Sequence, residues 1–288
     1  MESQGVAMVT TGSDRPATAV PPEAAARTAA RFSMAGRRAL VTGGSVSIGR
    51  AIVEAFADAG ATLAIQYSSA WDAALERADR ADALRRVLDE RSIRAVLIDA
   101  DFAEPGAGTW TVEQARGALG GVDVLVVCAS VQQREAFGSI STEQRERQTR
   151  VNFHATVELL EAAAPAMQAQ KWGRILTIGS INQTRPDPTL AIYAALKSAQ
   201  HNLAINLARQ LAPHGVTVNN LSPGLIATER NRWRRKDAAE WEQIQAKANP
   251  MSRAGTPEEI ASAALLLCSE AGSFITGADL QATGGGHL

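Results

Sequence analysis

The 288-residue chain has two cysteines, two tyrosines, 5% aromatic residues and no surplus of charge of either sign. Cys128 and Cys268 lie far apart, each inside an apolar run (VLVVCAS and LLLCSE). They read as buried thiols in a reducing compartment rather than a disulfide or a metal site, and no metal is expected. Lys plus Arg total 29 against 30 Asp plus Glu, a formal charge of -1, which gives no reason to expect nucleic acid or an anionic membrane as partner. No apolar run approaches the roughly 18 residues that a membrane helix needs. The start of the chain lacks the basic and apolar regions of a secretory signal, so a cytoplasmic protein is expected. Residues 1–31, rich in Ala, Thr, Ser and Pro with more Arg than acid, read as a disordered tail rather than a transit peptide, with folding expected from Phe32.

What is present is a 45% hydrophobic composition, enough for one large core, and an alternation of short apolar runs with long amphipathic ones. RALVTGG (38–44), TLAIQY (62–67), RAVLIDAD (94–101), VDVLVVCAS (122–130), RILTIGS (174–180), VTVNNLS (216–222) and ADLQATG (278–284) read as strands. VDVLVVCAS does not alternate, as expected of a strand buried on both faces of a parallel sheet. Helices are expected between the strands, including 71–90, 142–168, 193–211 and 257–269. The predicted fold is a single doubly wound α/β domain, a Rossmann-type parallel sheet covered by helices on both faces, over 32–288. A polar connection at about 225–250 is the expected substrate loop. Its basic run, Arg230, Arg232, Arg234, Arg235 and Lys236, reads either as a grip for an anionic substrate or, more in line with general composition, as solvated surface.

TGGSVSIG, Thr42 to Gly49, joins the first strand to the first helix. Gly43 and Gly44 permit a sharp turn, Gly49 permits close packing of helix on sheet, and the free amides at the helix start can hold a pyrophosphate. Ser45, Ser47 and Ile48 complete the candidate turn. The second strand ends on Tyr67, Ser68 and Ser69 without the carboxylate that accepts ribose hydroxyls, which counts against NAD, yet no Lys or Arg follows to clamp a 2'-phosphate.

YAALK, Tyr193 to Lys197, sets a phenol and an ammonium at i,i+4, on one helix face. A free phenol titrates near ~10, and a neighbouring ammonium favours the phenolate, so the pair reads as an acid or base with the cation that tunes it. A packed aromatic beside a solvated lysine is the structural alternative. With Ser180 thirteen residues upstream of Tyr193 and Asn152 in RVNFHA earlier still, the chain resembles the short-chain dehydrogenase/reductase family over about 32–285.

The resemblance implies an NAD(P)-dependent oxidoreductase that interconverts a secondary alcohol and a ketone. Asn152, Ser180, Tyr193 and Lys197 would form the catalytic set, Asn152 serving a water-linked proton relay behind the lysine. It implies cofactor contacts from Asp101, Ala129, Pro223, Gly224 and Thr228, from Tyr193 and Lys197, and a homo-oligomer, commonly a tetramer. Ile181, Asn182, Gln183 and Leu190 are expected in the substrate pocket. Departures from the family pattern are Ser47 at the second turn glycine, and Val127, Cys128, Ala129 and Ser130 in place of Asn-Asn-Ala-Gly. Residues 70–92 read as an insertion on the outer face, Arg50 as a solvent-facing helix residue, and the balance of cofactor signals leans to NADP over NAD. A cofactor-binding scaffold without turnover and a nonredox lyase or epimerase are the alternative functions.

Overall fold

Strand residues that alternate between two apolar surfaces need cover on both, and the sheet provides for this in its sequence. In the computed structural model, which describes residues 21–74 and 79–288, seven parallel strands form one sheet. They are β1 (Arg38–Thr42), β2 (Thr62–Tyr67), β3 (Ala95–Asp99), β4 (Val124–Val127), β5 (Gly173–Ile178), β6 (Val216–Pro223) and β7 (Asp279–Ala282), in the order β3-β2-β1-β4-β5-β6-β7. Every residue of β4, β5 and β6 is buried. Leu40, Leu125, Ile175 and Val218 point into one core, and Val41, Val126, Leu176 and Leu221 into the other. Successive residues of a strand face opposite ways, so a single apolar run feeds both layers.

One layer is built on α5 (Ala107–Leu119), α7 (Ala155–Ala169) and α8 (Ala191–Leu211), and the other on α2 (Ser47–Asp58) and α10 (Pro257–Cys268). Of the remaining helices, α1 (Pro22–Phe32) precedes the sheet, α3 (Ser69–Ala74) and α4 (Arg80–Glu90) lie between β2 and β3, α6 (Thr142–Thr149) leads towards α7, and α9 (Ala238–Ala248) lies between β6 and α10.

Three expectations change. Ordered chain begins before Phe32, which is the last residue of α1. Pro at the start, Glu23 in the first turn and a run of alanines favour that helix although most of it is exposed. The rest of the expected tail, 1–20, lies outside the described residues. The expected helix over 71–90 is two helices, α3 and α4, with 75–78 outside the described residues. The expected helix over 142–168 is interrupted by a π-helical turn, Arg150–His154, which carries Asn152. Such turns insert one residue into the helical ladder and recur at functional sites.

The strand order reverses between β1 and β4, and there the two strand ends part to leave a crevice. Thr42 holds its edges together. Its hydroxyl accepts from the amides of Cys128 (2.9 Å) and Ala129 (3.1 Å) and lies 3.3 Å from the Val126 carbonyl. These bonds tie β1 to the turn in which Val127 and Cys128 stand where the family pattern has two asparagines. Gln66 acts similarly on the other side: its Oε1 accepts from Gly43 N (2.9 Å), and its Nε2 donates to the carbonyls of Tyr67 (2.9 Å) and Ala100 (2.7 Å). Thr42→Val keeps the volume and deletes the hydroxyl, leaving two amides without their acceptor. A loss of about 1–3 kcal/mol is expected in denaturant unfolding, and an unchanged midpoint would show that Thr42 does not tie β1 to β4.

Candidate active site

The crevice opens into a cleft of about 1380 Å³. That exceeds the roughly 300–1,000 Å³ of an ordinary small-molecule pocket and suits a long ligand with a second one beside it. Gly43, Ser45, Ser47, Ile48 and Gly49 line it at the start of α2. Gly43 has φ +63°, and a Cβ there would stand 2.9 Å from Ala129 Cα; one on Gly49 would run into the Gly43 carbonyl. Only glycine lets these backbones meet, which leaves room for a pyrophosphate at the helix start. Ser47 adopts the same left-handed region, φ 52°, at a cost of about 1–2 kcal/mol for a residue with a Cβ. Its Oγ accepts from Glu229 N at 3.3 Å.

Tyr67, Ser68, Asp101 and Ala129 line the same cleft, as do Pro223 at the end of β6 and Gly224 and Thr228 beyond it. The insertion between β2 and β3 is not confined to the outer face. Trp71 and Asp72 of α3 and Arg80 of α4 form a wall of the cleft, with Arg80 set 3.3 Å from Asp72 and 3.8 Å from Glu229. A cation therefore does follow the second strand, thirteen residues after Tyr67. Arg147 pairs with Asp101 (3.1 Å) and lies over the Trp71 ring, 4.7 Å from its centroid. These features fit a dinucleotide: a glycine turn at a helix start, and an aromatic wall with mixed charges where an adenosine would lie. Arg50, expected to face solvent, pairs with Glu54 at 2.9 Å.

Ser180 lies two residues beyond β5, capping the short 3-10 turn Ile181–Gln183, where its Oγ accepts from Asn182 N and Nδ2, both at 3.2 Å. Tyr193, 5% exposed, lines the cleft from the first turn of α8. One turn on, Lys197 is 1% exposed, with Nζ 5.8 Å from the Tyr193 ring centroid. Burial pushes its pKa down to about 7. Its ammonium donates to the Ile178 carbonyl (2.7 Å) and to Gln200 Oε1 (2.9 Å). Gln200 Nε2 donates to Thr156 Oγ1 (3.0 Å), which donates to the Asn152 carbonyl (3.1 Å). The Asn152 side chain is occupied elsewhere: its amide exchanges two bonds with the Val131 backbone, at 2.7 and 3.0 Å. Lysine and asparagine are thus joined by side chains.

Of the expected substrate residues, Ile181, Asn182 and Leu190 line the cleft. Gln183 does not: its Nε2 turns to Asp279 on β7 (2.6 Å), drawn by a carboxylate at the sheet edge. Lys197 and Asn152 stand behind the cleft rather than on its surface. The basic run at 230–236 and α9 form part of the substrate-side wall. Sequence reading missed Trp71, Asp72, Arg80, Thr156 and Gln200. Only Gln200 carries a local signal, a polar residue at i+3 from Lys197 on the same helix face. Both cysteines are free; Cys268 is buried as expected, whereas Cys128 is only partly buried and lines the cleft, and desolvation pushes the two thiols up, to about 12 and about 11. No helix among the described residues is long and apolar enough to cross a membrane.

Comparison with known proteins places this geometry in a family. The family model described as enoyl-(acyl carrier protein) reductase matches residues 43–287. An L-rhamnose 1-dehydrogenase (NAD(P)(+)) of Sphingomonas sp. (strain SKA58) is 32% identical over 88% of this chain and 97% of its own. A 3-oxoacyl (acyl-carrier-protein) reductase of Agrobacterium tumefaciens C58, solved with NADP bound, superposes with a TM-score of 0.84 at 40% identity, covering 91% of this chain and 98% of that one. A gluconate 5-dehydrogenase of Burkholderia cenocepacia J2315, solved with NADP and tartrate, gives 0.80 at 30% identity over 89% and 97%. The sheet order, the glycine turn and these relatives agree that the chain belongs to the short-chain dehydrogenase/reductase family and is an NAD(P)-dependent oxidoreductase.

Proposed function

We propose that the enzyme interconverts a secondary alcohol and a ketone, with Tyr193 as the acid and base. The observation that carries this reading is the buried Lys197 ammonium one helical turn behind a phenol that opens onto the cleft beside Ser180. The bound dinucleotide supplies or accepts the hydride. Ser180 Oγ donates a hydrogen bond to the substrate oxygen as negative charge grows there. Tyr193 hands its proton to that oxygen in reduction and takes one in oxidation. Lys197 lends positive charge to the phenolate this leaves and would hold the nicotinamide ribose. Gln200 and Thr156 anchor the lysine to Asn152, so its position does not depend on a water in that gap. NADP is the proposed partner over NAD, on the strength of Arg80 and Arg147 at the adenosine end. Tighter binding of NADH than NADPH would reverse that preference. By family membership we also infer a cytoplasmic homotetramer; a monomer by light scattering at micromolar protein would remove that inference.

Tyr193→Phe deletes only the hydroxyl. Turnover on a substrate found by screening alcohols and ketones is expected to fall about 100- to 10,000-fold, with dinucleotide binding near wild type. Retention of more than about a tenth of turnover under chemistry-limited conditions would exclude the phenol as proton carrier.

Lys197 gives a separate prediction. In the free protein it loses its charge as pH rises through about 7. A ribose hydroxyl that accepts from the ammonium favours the charged form, so binding takes up a proton. NADPH affinity, read by fluorescence titration, is expected to weaken above that pH by up to about tenfold per unit. In Lys197→Met the affinity should be lower and flat over the same range; an equally steep wild-type-like slope would show that another group controls it.

A further inference from the structure

The cleft is far more basic than the protein around it. Nine Lys or Arg and four Asp or Glu line it, in a chain of net charge -1. The excess is uneven. At the adenosine end Arg80 and Arg147 are matched by Asp72, Asp101 and Glu229. On the substrate side Arg134, Arg230, Arg234, Lys236 and Lys247 line the cleft with one acid, Asp187, and Glu240 acts on Arg234 from α9 outside the lining.

One of these cations, Arg134, is tied to the reacting centre by a continuous set of contacts, and a second, Arg234, lies close to it. Asn182 donates to Ser180 Oγ (3.2 Å) and accepts from Asp187 N (2.9 Å), and Asp187 Oδ2 accepts from Arg134 Nη1 (2.7 Å). Thr189 Oγ1 also accepts from Arg134 Nη1 (2.9 Å). Asp187 is fully engaged: Oδ1 accepts from Thr189 N (2.9 Å) and Oγ1 (2.7 Å). Arg134, Thr189 and these local bonds outweigh its burial and hold its carboxyl down to about 2. Partial burial, with the nearby Arg134 charge added to it, pushes the Arg234 pKa down against the opposing pull of Asp187 and Glu240. Arg234 stacks near the Trp233 ring (5.1 Å) and has no carboxylate within ion-pair distance among the described residues. Two half-buried guanidiniums thus stand beside the already committed Asp187, with only the more distant field of Glu240 added at Arg234. Such a charge surplus is unfavourable until an anion enters, and the planar fork of arginine matches a carboxylate in two parallel hydrogen bonds.

The outer part of the run behaves differently. Arg232 is 71% exposed and pairs with Glu229, and Arg235 donates to the Thr228 carbonyl (3.0 Å); these read as surface. The phosphates of a dinucleotide would lie at the glycine turn, whereas Arg134 and Asp187 connect to Ser180 through Asn182.

We propose that Arg134 and Arg234 form a seat for a carboxylate carried by the substrate, so that the enzyme acts on a small hydroxy acid and its keto acid. The proposal rests on the alcohol and ketone reading of the same site. Its test uses matched pairs, gluconate with gluconamide and tartrate with tartramide, in turnover assays with NADP and NAD and, independently, as ligands in thermal-shift titrations of the protein saturated with NADP. Acids are expected to be turned over with lower KM than their amides and to raise the melting temperature where the amides do not. Arg234→Met should raise KM, or the apparent Kd, for the acid by about 10- to 100-fold with kcat within a few-fold, and leave the amides unaffected. Arg209→Met, which removes the same charge from an exposed position on α8 outside the cleft, should change neither. Equal losses in the two variants would mean a general field rather than a seat. Preference for the amides, or for a phosphate ester over both, would overturn the carboxylate assignment while leaving the role of Tyr193 to be judged by Tyr193→Phe on those substrates. If none of the compounds turns over, the thermal-shift arm decides: no shift with either acid at about 10 mM, a concentration well above ordinary KM values, refutes the seat.

Discussion

A lysine ammonium buried to 1% exposure governs much of this enzyme's interior. Burying a charge is costly unless donors and acceptors meet it, so the chain must bring oxygen atoms to that point from several elements. Ile178 at the end of β5 supplies one and Gln200 on α8 another. Gln200 then needs its own acceptor, which Thr156 on α7 provides, and Thr156 in turn needs the carbonyl of Asn152. That carbonyl lies in the π turn, where the helical ladder is loosened. An apparently local requirement at one nitrogen atom thereby fixes the approach of two helices and the irregularity of a third segment. It also keeps the lysine beneath Tyr193 in the absence of substrate, so the site is organised in advance.

The turn after β4 departs from the family motif and is held by its backbone amides. Family resemblance leads one to expect asparagines after β4, and this chain has valine and cysteine. The Thr42 hydroxyl reaches across from β1 and accepts from two amides of that turn. Ser47 pays a conformational penalty where glycine would have none, and its Oγ meets the backbone at Glu229. Each substitution is matched by a contact visible only once the strands are paired.

What could be read in the linear sequence follows from range. Unbroken apolar runs in the strands, the glycine turn and the i,i+4 spacing of Tyr193 and Lys197 are short-range patterns, and the sheet and the pairing of those two side chains could be read from them, whereas Ser180 and Asn152 came only with the family resemblance. The π turn was hidden because its residues have ordinary helical composition. Gln183 was assigned to the pocket by proximity in sequence to Ser180, yet a carboxylate 96 residues away determines where it points. Residues 70–92 looked peripheral because nothing in an amphipathic helix announces that its end will face a cleft. The basic run was ambiguous for a related reason: Arg232 and Arg234 have the same chemistry, and only burial separates surface from recess.

Arg80 joins Asp72, on the adenosine wall, to Glu229, the first residue of the segment that covers the substrate side. The two ends of the cleft consequently share a charged hinge point. A dinucleotide that drew Arg80 away from Glu229 would alter the substrate-side segment, and the resulting linkage would be reciprocal: the factor by which one ligand altered the other's affinity would be the same in both directions.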